Sequence, residues 1–172
     1  GVLAQPDDRD AMSLPPQAID WQRLERDVAG LRVGVMRDAG VGLAVDAEVA
    51  AAFDAAVHRL EAAGARIERV APFMTREILD GMDDFWRMRA WLDISAMRPE
   101  RRARILPYIV AWAERGAGLS GERVFRGYSQ MAAMRDAAVA ACRPYDVVVS
   151  PTSPIPSYAA ELASPTDDPE RP

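Results

Sequence analysis

The alternation of apolar and polar positions predicts two β-strands near the start of the chain, joined by one helix. Residues 31–36 carry apolar side chains at every second position, which is typical of a strand with one buried face. From Val49 to Leu60 the apolar residues recur every three or four positions, as along one face of a helix. Residues 65–71 predict a second strand, which ends at Pro72. This order predicts parallel strands connected by a right-handed crossover.

Residues 75–142 predict a mostly helical region. Thr75 can cap the first helix of this region, and Pro99 is expected to end it. Ser120 can cap the last helix, which is expected to stop before Pro144, because a residue that precedes proline disfavours helical backbone angles. A shorter helix is expected between these two.

The run Asp-Val-Val-Val-Ser at residues 146–150 predicts a third strand, buried on both faces of a parallel sheet. Residues 151–172 contain six prolines and no helical period, so this segment is expected to be extended. The predicted fold class is therefore α/β, with a small, mainly parallel sheet of three strands packed by helices. We expect residues 1–150 to form one domain with a helical insertion at 75–142, followed by the extended segment at 151–172.

The composition removes several classes of chemistry. All 21 basic residues are arginines, so the chain has no lysine for a phosphate-binding loop, a Schiff base or a serine–lysine pair. The single histidine, His58, excludes an ordinary multi-histidine metal site. A net charge of −5 lacks the basic footprint of a nucleic-acid-binding protein.

The apolar stretches and the cysteine content bear on location. The longest apolar run, residues 105–113, is too short to span a bilayer. The single cysteine cannot form an internal disulfide, so an oxidising compartment is not indicated. We therefore expect a cytoplasmic protein.

Glycines at positions 116, 118 and 121 match the dinucleotide-binding pattern G-x-G-x-x-G. That function needs a strand before the first glycine and a helix after the last one, so that the pyrophosphate lies on the helix N-terminus. The residues before Gly116 predict the end of a helix, which favours a hinge between two helices. A dinucleotide-binding module is kept as an alternative.

Other reactive or large side chains have simpler interpretations. Cys142 and His58 could form a nucleophile–base pair if they met in space, but the pattern favours structural roles for both. Three tryptophans are interpreted as packing between helices, four arginines as a solvated face and three aspartates as surface residues. These are, in the same order, Trp86, Trp91 and Trp112; Arg98, Arg101, Arg102 and Arg104; Asp83, Asp84 and Asp93.

Four groups of stretches are spread over nearly the whole chain: Val2-Leu-Ala-Gln-Pro-Asp-Asp-Arg-Asp10, Gly30-Leu-Arg-Val-Gly-Val35 with Val45-Asp-Ala-Glu-Val49 and Leu60-Glu-Ala-Ala-Gly-Ala65, Phe85-Trp-Arg87 with Leu106-Pro-Tyr-Ile109 and Trp112, and Tyr145-Asp-Val-Val-Val-Ser-Pro-Thr-Ser-Pro-Ile-Pro156. Together, in this order and spacing, they resemble the amidase signature family. The resemblance implies that the three strands belong to the larger mixed sheet of that fold.

Membership of this family implies hydrolysis of carboxylic amides through a serine acyl-enzyme. The two catalytic serines and the catalytic lysine of such enzymes lie in a glycine- and serine-rich region, which this sequence lacks together with any lysine. No catalytic residue is therefore assigned here. We expect an interior or C-terminal piece of an amidase that supplies scaffold and part of the substrate pocket and is inactive alone. Its expected partner is the rest of the enzyme.

Thr152 and Ser153, in the turn after the third predicted strand, are the expected substrate-binding residues. Ligands of open α/β sheets bind beyond the carboxyl ends of strands, and both hydroxyl groups can hydrogen-bond an amide. The expected ligand is a small-molecule amide, and a homo-oligomer is also considered. No cofactor, metal ion, nucleic acid or membrane is expected. A non-catalytic interaction domain is the other alternative function.

Overall fold

The computed structural model describes residues 27–38, 40–42 and 44–162, together with positions 6, 7, 9, 18, 20–22, 25 and 165. Most of the stretch 2–10 and most of the proline-rich segment beyond residue 162 lie outside the described residues.

Three parallel strands form one sheet in the described part of the chain. Strand β1 (Arg32–Val35) lies in the middle, between β2 (Arg66–Arg69) and β3 (Val147–Val149). The backbone N–H of Arg32 donates to the Asp146 carboxylate at 2.8 Å, and the Asp146 N–H donates to the Arg32 carbonyl at 2.9 Å. These bonds align β3 with β1. The predicted α/β fold with a three-stranded parallel sheet is confirmed.

Strand β1 is buried on both faces. Val33 and Val35, which point to one face, are 2% and 5% exposed. Gly34 points to the other face, where an added Cβ atom would lie 2.7 Å from the Tyr145 ring and from the Val70 side chain. Glycine at this position therefore lets Tyr145 and Val70 cover the middle strand.

Helix α1 (Ala47–Ala62) connects β1 to β2 and packs on β2. Its start is capped by Asp46, whose side chain accepts a hydrogen bond from the Glu48 N–H at 2.8 Å. The chain leaves the helix through Gly64, whose φ of +93° is a conformation that favours glycine.

A helical region separates β2 from β3. It consists of α2 (Arg76–Ser95), α3 (Pro99–Arg102), α4 (Pro107–Glu114), a 3₁₀ turn (Arg115–Gly118) and α5 (Gly121–Cys142). The predicted caps are confirmed: Thr75 Oγ1 accepts from the Ile78 N–H, and Ser120 Oγ accepts from the Arg123 N–H, both at 3.2 Å. Helices α2 and α5 form the main helix pair of this region.

The role expected for Pro99 is wrong. Helix α2 already ends at Ser95, and Pro99 begins α3 instead of closing α2. Proline is well suited to the first position of a helix, where its missing N–H group has no helical partner to lose. Pro107 occupies the same position in α4.

Two glycines set the approach of α2 to α5. An added Cβ atom on Gly127 would lie 2.2 Å from the carbonyl oxygen of Gly81, and one on Gly81 would lie 3.3 Å from the Gly127 Cα atom. The two helix backbones therefore touch directly at this crossing. Every helix in the described part of the chain is too short or too polar to cross a membrane.

Candidate functional site

The carboxyl ends of β1 and β3 meet the start of α1 at one edge of the sheet. The Met36 N–H donates to the Val149 carbonyl at 3.0 Å, which holds the two strand ends together. The Asp46 N–H donates to the Pro154 carbonyl at 2.8 Å, which ties the proline-rich segment to the helix. Ligands of parallel α/β sheets bind at this edge.

Two adjoining cavities of about 290 and 200 Å³ lie at this edge and share Arg37, Asp38, Val45 and Pro151. We call them together the edge pocket. Its other described lining residues are mostly apolar: Met36, Ala44, Ala50, Phe53, Ser150 and Pro154. The pocket therefore combines an apolar wall with a few polar groups, as small-molecule sites do.

Arg37 is held in the edge pocket by a carboxylate of α1. Its Nη1 atom lies 2.5 Å from Asp54 Oδ1, and the Arg37 side chain is 52% exposed. The Asp54 Oδ1 atom is buried and has no aligned hydrogen bond, so charge attraction holds this pair. Asp38 Oδ1 accepts a hydrogen bond from the Gly40 N–H at 2.7 Å. These three side chains carry one more carboxylate than cation.

Thr152 and Ser153 lie between two residues of the pocket wall, Pro151 and Pro154, and both are exposed. Ser153 Oγ accepts a hydrogen bond from the Ile155 N–H at 3.3 Å. Neither belongs to the described lining of the edge pocket, so the two hydroxyl groups border it. Arg37 and Asp54 were missed by the sequence interpretation. For Arg37 the sequence offered a signal, because it is a charged residue directly after the strand predicted at 31–36, but for Asp54 it offered none.

The glycine-rich pattern lacks the structural context for dinucleotide binding. Gly116 and Gly118 belong to a 3₁₀ turn that directly follows α4, so no strand precedes the first glycine. Gly116 is buried, and an added Cβ atom there would lie 2.6 Å from the backbone of Arg87 on α2. Glycine at this position thus serves helix packing.

Cys142 and His58 form no catalytic pair in the described structure. His58 Nδ1 lies 2.9 Å from the Asp54 carbonyl oxygen of its own helix. Cys142 lies in the last turn of α5, and no hydrogen bond joins it to His58 among the described residues. Across the same residues, no group of three or more His, Cys, Asp or Glu side chains could hold a metal ion.

The interpretation as surface residues is wrong for Asp84, whose side chain is 15% exposed, and incomplete for Asp83, which is 41% exposed but also links two helices. Asp83 accepts hydrogen bonds from Arg87 Nε at 2.5 Å and from Trp112 Nε1 at 3.2 Å, and so links α2 to α4. Arg87 is only 8% exposed, and its guanidinium lies 5.5 Å from the Trp112 ring centre. Asp84 binds Arg123 on α5. Both carboxylates lie where two helices meet. Which helix faces meet depends on tertiary packing, so the sequence pattern did not show these contacts.

Arg98, Arg101 and Arg104 are exposed, as predicted for a solvated face, whereas Arg102 and Trp91 make contacts between helices, and Trp86 lies on the surface and not between helices. Arg102 forms an ion pair with Glu114 at 2.6 Å and lies 5.3 Å from the Trp91 ring centre. Trp86 is 42% exposed, and its ring packs edge-on against Phe85 at 5.5 Å. These contacts hold α3 to α4 and leave an aromatic surface on α2.

Residues 2–171 match the protein-family model described as Amidase, and the chain belongs to that family. The fold is similar to that of a solved structure described as a bacterial aryl acylamidase of the amidase signature enzymes family. The TM-score is 0.70 at 20% sequence identity, and the match covers 85% of this chain. It covers 32% of the other chain, so this chain spans about a third of that enzyme. None of the curated proteins compared with the sequence matches it.

Proposed function

We propose that this chain is part of an amide hydrolase, in which it supplies scaffold and one wall of the substrate pocket. The observation that carries this proposal is the family match over residues 2–171, together with the similar fold of an aryl acylamidase. The position of the edge pocket beyond the carboxyl ends of β1 and β3 supports a role in substrate binding.

The proposed reaction proceeds through a serine acyl-enzyme. A serine oxygen attacks the amide carbon and forms an ester, the amine leaves with a proton, and water then cleaves the ester to give the acid and the free serine. An unactivated serine is a weak nucleophile, and this chain contains no lysine to serve as its base. The hydroxyl groups of Ser95, Ser129 and Ser153 bond backbone atoms instead. The nucleophile and base therefore come from the rest of the enzyme.

Thr152 and Ser153 are proposed to hydrogen-bond the substrate amide. Their support is their place in the turn between Pro151 and Pro154, which both line the edge pocket. A hydroxyl group can donate to the amide oxygen and accept from the amide N–H group, so two neighbouring hydroxyls suit either end of an amide.

The proposed partner is the remainder of an amidase, or a second copy of this chain in its place. Among the described strands, β2 and β3 each pair on one side only, with β1. Strand β3 consists of three valines, and Val147 is 46% exposed. An open strand edge presents unpaired backbone groups that another strand can bind. A cytoplasmic location is part of the same proposal, supported by the single cysteine.

The proposed hydrolase function is tested by comparing the activity of this chain alone with that of the completed enzyme. We expect the 172-residue chain to hydrolyse no 4-nitroacetanilide and to bind no serine-directed fluorophosphonate. Joined to the serine- and lysine-containing part of an amidase, it should yield an enzyme that both hydrolyses the anilide and reacts with the fluorophosphonate. The same fusion with the nucleophilic serine replaced by alanine is the control. A folded fusion without activity would favour the non-catalytic interaction domain.

A further inference from the structure

The edge pocket offers an apolar ligand most of its contacts. Its described wall is built from alanine, valine, phenylalanine, methionine and proline side chains, with Arg37, Asp38 and Ser150 as its polar members. A cavity of roughly 150 Å³ is enough to hold a benzene ring. The larger of the two cavities, about 290 Å³, therefore has room for one aromatic ring or a short branched chain with a polar substituent.

Arg37 provides a fixed hydrogen-bond donor in this pocket. A guanidinium carries five N–H groups in a rigid plane. The buried Asp54 Oδ1 atom holds one end of that plane through Nη1, while half of the side chain stays accessible. The other N–H groups of Arg37 can therefore donate to a ligand oxygen without a change in the ion pair.

The charges around Arg37 discriminate between a neutral and an anionic ligand. Its positive charge is already matched by Asp54, which lies behind it outside the described lining, and Asp38 is the carboxylate of the described pocket wall. The Gly40 N–H satisfies one Asp38 oxygen but leaves the negative charge in place. The three side chains together carry one net negative charge, so a carboxylate ligand is disfavoured here relative to a neutral carbonyl, which needs only a donor.

We propose that the edge pocket is a subsite for the uncharged acyl or aryl group of a neutral amide. Arg37 donates a hydrogen bond to a neutral oxygen of the ligand, and Asp38 rejects carboxylates. This assignment rests on the amide hydrolase function proposed above and names its substrate class. Because hydrolysis converts a neutral amide into a carboxylate, the acid product is a poorer ligand of this pocket than the amide.

Benzamide and benzoate test the proposal, because they share the same ring and differ in charge. Binding of each probe to the 172-residue chain is measured by calorimetry or by ligand-observed NMR at neutral pH and low salt. We expect benzamide to bind about tenfold more tightly than benzoate. Arg37→Gln should weaken benzamide binding about tenfold, the effect of losing a charged donor. Arg135→Gln, on the exposed surface of α5, is the matched control and should change neither affinity.

Asp38→Asn gives a test that misfolding cannot imitate. Asparagine keeps the side-chain shape and an oxygen acceptor for the Gly40 N–H, but it removes the charge. Benzoate should then bind about fivefold more tightly, while benzamide binding stays the same. Asp136→Asn is the matched control. It changes the net charge of the chain by the same amount, but it lies on α5, which does not belong to the described lining of the edge pocket.

Three results would overturn the proposal: equal affinity for benzamide and benzoate, no binding of either probe, or an Asp38→Asn variant with an unchanged ratio of the two affinities. These results are separable from the fate of the hydrolase. Amide-selective binding in a completed protein that hydrolyses no amide would support the subsite and contradict the hydrolase. Amide hydrolysis by a completed protein that binds benzamide and benzoate equally would support the hydrolase and contradict the subsite.

Discussion

The Asp84 carboxylate on α2 accepts two hydrogen bonds from Arg123 on α5, from Nε at 2.6 Å and from Nη2 at 2.9 Å. The Asp84 side chain is 15% exposed, which is low for a carboxylate. The bonds to Asp84 raise the pKa of the Arg123 guanidinium. A two-pronged pair of this kind fixes orientation as well as distance, so it positions one helix on the other.

Asp84→Asn should lower the free energy of unfolding, because asparagine cannot accept both hydrogen bonds from Arg123. Urea unfolding measures the loss. Asp136→Asn on α5 is the control, since its ion pair with the neighbouring Arg135 is exposed. Equal losses in the two variants would show that the Asp84 pair adds nothing beyond an ordinary surface contact.

Asp83→Ala should destabilise the protein by roughly 2 kcal/mol, because it removes the carboxylate bound to buried Arg87 and leaves the Trp112 N–H without its acceptor. Thermal or urea unfolding gives the value. Asp93→Ala, an exposed change on the same helix, should cost far less. The link between α2 and α4 is refuted if the two variants unfold alike.

Gly127→Ala should destabilise the protein by about 2 kcal/mol, because the new methyl group would collide with the Gly81 carbonyl and push α2 and α5 apart. Gly121→Ala, at the start of the same helix, meets nothing within 4 Å and should be neutral or stabilising, since alanine favours helix. The midpoints of urea unfolding of the two variants measure this difference in stability. A neutral Gly127→Ala variant would mean that the helices do not touch at this crossing.

Replacing Thr152 and Ser153 together by alanine, in the fusion with the catalytic part of an amidase, should reduce kcat/KM for amides about tenfold through loss of hydrogen bonds to the substrate. Ser157→Ala, further along the same exposed segment, is the control. Rates are compared on several amides. If kcat/KM is unchanged on all of them, the two residues do not belong to the substrate site.

The separate chain should self-associate through its open sheet edge. Light scattering across a concentration series should show a mass that rises with concentration. Val147→Lys should shift the chain towards the monomer, because a charge on an edge strand opposes pairing. Val139→Lys, which changes a still more exposed valine on α5, should not. A constant monomer mass with a cooperative melt would instead describe an autonomous domain.

Features that depend on neighbours in the sequence were predictable. Thr75 and Ser120 cap their helices because the capped N–H groups lie three residues away, and apolar periodicity locates the strands around α1. The crossing of Gly81 with Gly127 was not predictable, because it depends on which two helix faces meet. Pro99 was misread because one residue both disfavours a helix interior and suits a helix start.

The candidate site was likewise predictable only in part from the sequence. The location of the site at the carboxyl ends of the strands was predictable, because parallel strands bring these ends together and the turn after β3 must lie there. The partner of Arg37 was not, because Asp54 reaches it from the second turn of α1, and the rotation of that helix over the sheet sets which side chain faces the pocket.

The hydrogen bond from the Asp46 N–H to the Pro154 carbonyl affects the order in which parts of this protein can fold during synthesis. Strands β1 and β2 with α1 are complete once residue 69 has been synthesised. One side of β1 and the start of α1 then wait for Val149 and Pro154, which emerge after the whole helical region. On a ribosome that adds residues from the N-terminus, β1, α1 and β2 are therefore available to pair early, whereas the edge pocket can be completed only after residue 154 has emerged.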